Sequence, residues 1–125
     1  MLIGDKSRFA FLFGRSINSE QREIDIFVKG ILLTDFDNLV YVPQFRASVK
    51  DELEILNSRK IPKWYAALHW GPTTDDFWGR FIMKNSQDIQ LHCKHNSGRK
   101  VTLSLKIEEL VKSYEKCISE LESTT

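Results

Sequence analysis

The segment KVTLSLKIEELVKSYEKCISELE, residues 100–122, carries the clearest structural signal in the chain, because its hydrophobic period changes partway along. Residues 100–105 alternate between apolar and polar side chains, which predicts a strand with one buried face. Beyond them the apolar residues fall at offsets of three and four, which predicts a helix over residues 106–122. The apolar stripe of that helix consists of Ile107, Leu110, Val111, Tyr114, Cys117, Ile118 and Leu121. A stripe of this width needs a sheet to pack against.

Shorter apolar runs on the N-terminal side of that segment predict the other strands. Residues 77–83 and 88–94 are strand-like and bounded by polar turns, so with residues 100–105 they predict an antiparallel meander. Residues 8–13 form an aromatic and aliphatic run, and residues 24–28 alternate as a half-buried strand requires.

A hairpin and a first helix complete the expected elements. Lys29-Gly30 offers a tight reversal, since glycine tolerates the positive φ that hairpin turns require. Ser48 with Asp51 three positions later resembles a capping box, which predicts a helix near residues 48–60. Both helices are expected on the same side of the strands.

These elements predict an α+β fold, an antiparallel β-sheet of about five to six strands with two α-helices packed on one face. A length of 125 residues fits a single domain, residues 1–125, with one continuous core. Hydrophobic residues make up 42% and charged residues 28% of the chain, as is typical of a globular protein. No stretch approaches the roughly 18 apolar residues of a membrane helix, so we expect no membrane partner.

Charge and cysteine usage narrow the class further. Lys and Arg total 18 against 17 Asp and Glu, and a net charge of +1 lacks the footprint of a nucleic-acid binder. We therefore expect no nucleic acid as partner, and interpret the basic segment KHNSGRK, residues 94–100, as a polar hairpin tip. Cys93 and Cys117 lie far apart without ligand-like spacing, which indicates reduced thiols in a cytoplasmic protein.

The strongest candidates for chemistry are His92, Cys93 and His95. Alternation along a strand sends Cys93 and His95 to one face and His92 to the other, which leaves fewer ligands than the four that zinc requires. The sequence contains no nucleophile elbow, glycine-rich phosphate loop or HExxH pattern. We therefore expect no metal, no cofactor and no enzymatic activity.

Aromatic side chains concentrate in one irregular stretch, at Trp64, Tyr65 and Trp70, with His69 among them. Aromatic residues on a loop can anchor a partner, since Trp and Tyr dominate interface hot spots. They can equally fold inward and cap the core, because such large side chains are rarely left fully exposed. Both interpretations are open at the level of the sequence.

The opening motif IGDKxxFA, residues 3–10, together with the hairpin turn, the meander and the closing helix, resembles bacterial immunity proteins. The family it resembles most is the immunity protein 42 family of polymorphic toxin and contact-dependent growth inhibition systems. The resemblance implies a cytoplasmic antidote, a monomer or weak homodimer, that binds the C-terminal domain of one cognate toxin. It also implies that the antidote blocks the toxin's active site or substrate entrance, and no catalytic residue follows from it.

An inhibitor of this kind needs a few desolvated aromatic or charged anchors. If the toxin is a nuclease, its cleft is basic, and carboxylates on the inhibitor can mimic phosphates and speed encounter. We therefore expect the partner-binding residues among the acidic loops and the aromatic stretch, at Asp35, Asp37, Trp64, Tyr65, His69, Trp70, Asp75, Asp76 and Trp78.

Two alternatives stay open. The chain could be a small enzyme or ligand-binding domain that uses His69, His92, Cys93 and His95 in a pocket. It could also be an RNA-binding module that combines its aromatic side chains with the basic tip at residues 94–100.

Overall fold

Nine strands form two antiparallel sheets in the described part of the computed structural model, which comprises residues 1–63, 65–71, 74 and 77–124 without the Thr124 side chain. The first sheet contains β1 (Leu2–Gly4), β2 (Phe9–Ser16), β3 (Gln21–Val28), β4 (Ile31–Leu32) and β5 (Leu39–Tyr41). The second contains β6 (Ala66–Ala67), β7 (Trp78–Met83), β8 (Asp88–Lys94) and β9 (Lys100–Lys106). The predicted α+β class is confirmed, but the strands divide between two sheets instead of forming one.

The second sheet confirms the predicted meander. Strands β7, β8 and β9 pair in chain order, and each strand lies within one residue of its predicted range. Burial alternates along them, so one face of this sheet meets the core while the other is open. The short strand β6, which the sequence pattern did not predict, pairs with β7 through Ala67 and Gly79.

The first sheet is organised around β3, which has more than one partner on the side away from β2. Its C-terminal end pairs with β4, in the register Val28 with Ile31. Its N-terminal end pairs with β5, in the register Gln21 with Tyr41. The predicted hairpin turn at Lys29 and Gly30 is confirmed, because both residues have positive φ, as the tight type I′ turn requires.

The helices are α1 (Val42–Ser58) and α2 (Ile107–Thr124). The predicted C-terminal helix is confirmed, but α1 begins well before residue 48 and the capping box at Ser48 is wrong. Pro43 lies in the first turn of α1, where the backbone N–H that proline lacks has no helical partner anyway. Among the described helices, none combines the length and apolar character needed to cross a membrane.

One hydrophobic cluster extends through both sheets and both helices. It includes Phe11 of β2, Phe81 of β7, Leu56 of α1 and Leu110 of α2. The helices pack on each other, and α2 also contacts β1 and β2 of the first sheet and β9 of the second. Helix α2 therefore packs against both sheets and helps to join them.

The opening motif has a structural explanation, since its residues form the tight connection between β1 and β2. Gly4 has a φ of +89°, and a Cβ at this position would lie 2.3 Å from the Phe9 carbonyl oxygen. The Asp5 carboxylate accepts hydrogen bonds from the Ser7 amide and hydroxyl at 2.8 and 2.7 Å. Glycine is therefore required here by geometry, and the motif specifies a turn.

Candidate functional site

The most enclosed carboxyl group of the described chain is that of Glu52 on α1, which is only 2% exposed. Its carboxylate accepts hydrogen bonds from the Leu68 amide and from Trp70 Nε1, each at 3.1 Å, and from Tyr114 Oη at 2.5 Å. Leu68 has a φ of +60°, a left-handed backbone conformation that residues other than glycine rarely adopt. Glu52 thus connects α1 to α2 and to the irregular segment before β7.

This carboxylate is a structural junction and not a reactive group. Burial raises the pKa of Glu52 from 4.5 to about 7, and the hydrogen bonds from Tyr114, the Leu68 amide and Trp70 oppose that rise. Burial, with the charge of Glu52 as a second cause, raises the pKa of Tyr114 well above its ordinary value. A pair enclosed to this degree offers no surface to a substrate or a partner protein.

The aromatic stretch largely turns inward. Trp70 is 2% exposed, and its ring lies 5.5 Å from the Phe11 ring and 5.4 Å from the Phe45 ring. Half-buried Tyr65 stacks on Phe81 with a centroid distance of 6.3 Å. The structure therefore favours the core interpretation for these two residues, because a buried indole cannot anchor a partner.

The other predicted site residues divide into two groups. His69 is exposed, and Trp78 at the start of β7 is 49% exposed. Trp64, Asp75 and Asp76 lie outside the described residues. The hydrogen bonds described for the Asp35 and Asp37 side chains involve neither His69 nor Trp78.

The acidic loop, residues 34–38, is the most exposed of the predicted sites. Asp35 and Asp37 are both exposed, and between them the ring of Phe36 is 75% exposed. Phe36 is absent from the site residues predicted from the sequence, although an aromatic residue between two aspartates in a stretch without hydrophobic periodicity is a detectable signal. An aromatic side chain exposed in this way is available to act as an interface anchor.

Hydrogen bonds fix this loop at both ends. Thr34 Oγ1 donates to Asp25 Oδ1 at 2.9 Å and accepts from the Ile26 amide at 3.1 Å, which holds the loop on β3. The Leu39 amide donates to Asp37 Oδ1 at 3.0 Å and closes the other end. Phe36 is thus presented by an ordered backbone, so binding of a partner costs this loop little conformational entropy.

A third contact ties the acidic loop to the second sheet. His95, which follows β8 and is 8% exposed, has its Nε2 atom 2.7 Å from Asp35 Oδ1. Its Nδ1 atom lies 2.8 Å from Ser97 Oγ and accepts a hydrogen bond from the Ser97 amide at 3.2 Å. Because Nδ1 accepts a hydrogen bond from that amide, Nε2 carries the ring proton and donates a hydrogen bond to the Asp35 carboxylate.

The remaining candidates for chemistry are separated by the sheet. Cys93 is buried on the inner face of β8, and burial raises the pKa of its thiol to about 12. His92 points to the opposite face, as alternation predicted, and burial followed by the charges of Arg80 and Lys84 lowers its pKa. Within the part of the chain that the structure describes, no three His, Cys, Asp or Glu residues are grouped in a way that could hold a metal ion.

Comparison with solved structures reveals a similar fold. The chain is similar to CdiI from Burkholderia dolosa AUO158, with a TM-score of 0.67 and 12% sequence identity. The match covers 96% of this chain and 99% of that chain. No protein-family model and no curated protein match the sequence. The type of fold that the opening motif implied is therefore supported, whereas the assignment to the immunity protein 42 family stays a prediction.

Proposed function

We propose that this protein is a cytoplasmic immunity protein that binds a cognate toxin domain and neutralises it. The main support is the fold shared with CdiI, an immunity protein of contact-dependent growth inhibition, over 96% of the chain. The sequence resemblance of the opening motif points to the same class of protein. Such a role requires a rigid recognition surface and no reactive centre.

The acidic loop is the surface we assign to the toxin. Phe36 supplies an apolar anchor that becomes desolvated on binding, and Asp35 and Asp37 supply the charge around it. Carboxylates steer association with a basic surface, and a nuclease cleft is basic because it binds phosphates. A nuclease domain is therefore the toxin class that this surface fits.

Truncation of the aromatic anchor tests this assignment. We expect Phe36→Ala to weaken toxin binding about 30-fold, the equivalent of about 2 kcal/mol for a hot-spot aromatic residue. Because the ring is 75% exposed in the free protein, folding should be unaffected. Trp78→Ala is the matched control, and calorimetry with the toxin domain encoded upstream measures both variants.

The two aspartates are tested through the rate of association. We expect Asp35→Asn with Asp37→Asn to slow association about tenfold at low salt and to leave dissociation nearly unchanged, since exposed charges act mainly on encounter. Asparagine keeps an acceptor for His95, so the loop stays attached. Asp51→Asn, an exposed position on α1, removes a charge elsewhere and serves as control.

The outcomes separate the function from its location. If the protein fails to protect cells that make the upstream-encoded toxin, the immunity function is wrong. If protection is intact but Trp78→Ala weakens binding while Phe36→Ala does not, the toxin binds the second sheet and not the acidic loop.

A second candidate function rests on the chain of Ser97, His95 and Asp35, which has the order of a nucleophile, a base and an acid. The acid in such a triad is normally buried, whereas the Asp35 side chain is 47% exposed. Ser97 Oγ also accepts the Arg99 amide at 3.3 Å, as expected for a hairpin tip. Ester hydrolysis that disappears in Ser97→Ala would establish this function, and equal behaviour of both proteins would dismiss it.

A further inference from the structure

The open face of the second sheet carries an exposed aromatic ring in line with two lysines. Trp78 of β7 pairs with Lys94 of β8, and Lys94 pairs with Lys100 of β9. All three side chains are exposed, and cross-strand partners project from the same face about 5 Å apart. In the next row Arg80 pairs with His92. We call these five residues the cationic face.

Positive charge is concentrated in this part of the molecule. Residues 59–106 contain nine Lys and Arg against three Asp and Glu, although the whole chain has a net charge of only +1. Among the residues of β6 to β9, the only carboxylate belongs to Asp88, at the end of β8 away from Lys94. It lies 2.6 Å from Lys106 Nζ, so its charge is already compensated.

The composition of the face favours a nucleic acid over an acidic protein. Protein interfaces have an apolar core from which charged residues are depleted. Here the rows behind Trp78 are mostly polar, with Gln90, His92, Thr102 and Ser104 on the open side. Interfaces with nucleic acids are more polar and far more positively charged.

We propose that the cationic face binds single-stranded nucleic acid, with a base stacked on Trp78 and phosphates on Lys94, Lys100 and Arg80. A four-stranded sheet whose exposed aromatic side chains stack unpaired bases is an established mode of recognition. Stacking requires an unpaired base, whereas cations alone attract any polyanion. This binding is independent of the proposed toxin inhibition and needs no toxin to be observed.

Fluorescence anisotropy with a labelled 12-nucleotide single-stranded RNA tests the proposal on the purified protein. We expect Trp78→Ala to weaken binding about tenfold and Trp78→Phe to retain most of it, because a stacked base depends on the ring. Tyr41→Ala, which removes an exposed aromatic ring of the first sheet, is the matched control and should bind as the unmodified protein does.

Charge is tested in the same assay. Three phosphate contacts predict a slope near −2 for binding against salt on logarithmic axes, so roughly 16-fold weaker binding at 200 mM than at 50 mM salt. Lys94→Glu with Lys100→Glu should abolish binding, whereas Lys112→Glu with Lys116→Glu, exposed on α2, should have little effect. Circular dichroism of each variant verifies that it folds.

Three outcomes overturn the proposal. One is equal or tighter binding of a duplex of the same sequence, since a duplex offers no unpaired base to Trp78. Another is displacement of the RNA by polyglutamate at equal charge concentration, which would indicate an acidic protein segment as the occupant. The third is loss of binding in the α2 lysine variant equal to that of Lys94→Glu with Lys100→Glu.

Discussion

The acidic loop and the cationic face present the same kind of side chain in opposite electrostatic settings. In the loop, Phe36 is flanked by Asp35 and Asp37. On the sheet, Trp78 lies in register with Lys94, the residue directly before the His95 that holds the loop. One chain with a net charge of +1 thus exposes two aromatic rings, one flanked by acidic side chains and the other by basic ones.

This difference shows why net charge is a poor guide to partners. The expectation of no nucleic-acid partner rests on a net charge of +1, which is a sum over 18 basic and 17 acidic side chains and does not report local clusters such as the cationic face. Local potential, and not the sum over the chain, determines which ligand a surface attracts. Variants that act on both regions, or on one region alone, test whether the two surfaces are independent.

The largest effect is expected from Glu52→Ala, which should damage both regions together. Leu68, Trp70 and Tyr114 would each lose the acceptor of a buried donor, and we expect a loss of about 4 kcal/mol in the free energy of unfolding. Urea denaturation measures it, with Glu54→Ala, exposed on the same helix, as control. Equal stability of the two variants would contradict the role of Glu52 as a junction.

The pH dependence of folding stability should likewise affect the acidic loop and the cationic face together. Folding raises the pKa of Glu52 from 4.5 to about 7, so the folded protein holds this proton more tightly than the unfolded chain. The stabilisation is complete below pH 4.5 and is lost as the pH rises through about 7, a loss of about 3 kcal/mol for a shift of this size. Urea midpoints across this range measure it, and Glu52→Gln should remove this component. A dependence unchanged in Glu52→Gln would assign it to another group.

The smallest effect, and the most selective, is expected from His95→Ala. It removes the hydrogen bond to Asp35 and should cost about 1 to 2 kcal/mol in the free energy of unfolding. Toxin binding should weaken because Phe36 loses its fixed presentation, while RNA binding through Trp78 should persist. Calorimetry and anisotropy on the same preparation measure both. A parallel loss of both activities would mean that the two regions act as one surface.

Much of the fold can be predicted from the periodicity of hydrophobic residues. The errors in the predicted fold arise in segments where that periodicity carries no information. Strands β7, β8 and β9 and helix α2 are long enough for their patterns to be read directly. Strand β6 has two residues and shows no pattern, and the pairing of β5 with β3 depends on contacts distant in sequence. Division into two sheets is therefore a tertiary property.

The candidate site shows the same division. The buried residues of α1 are Val42, Phe45, Val49, Glu52 and Leu56, at offsets of three and four. A helix assumed to start at residue 48 hides this stripe, so the burial of Glu52 was missed together with the true helix start. The aspartates of the acidic loop are predicted as site residues from charge alone, whereas the inward position of Trp70 depends on the partners it meets after folding.

The alkylation rates of the two cysteines report how often the structure around each of them opens. Cys93 is on the buried face of β8 and Cys117 on the buried face of α2, and burial raises the pKa of both thiols, so we expect neither to react with an alkylating reagent in the native state. Modification of either thiol requires the covering element to detach first. The two alkylation rates, resolved by peptide mass, therefore report how often the sheet and the helix separate from the rest of the protein.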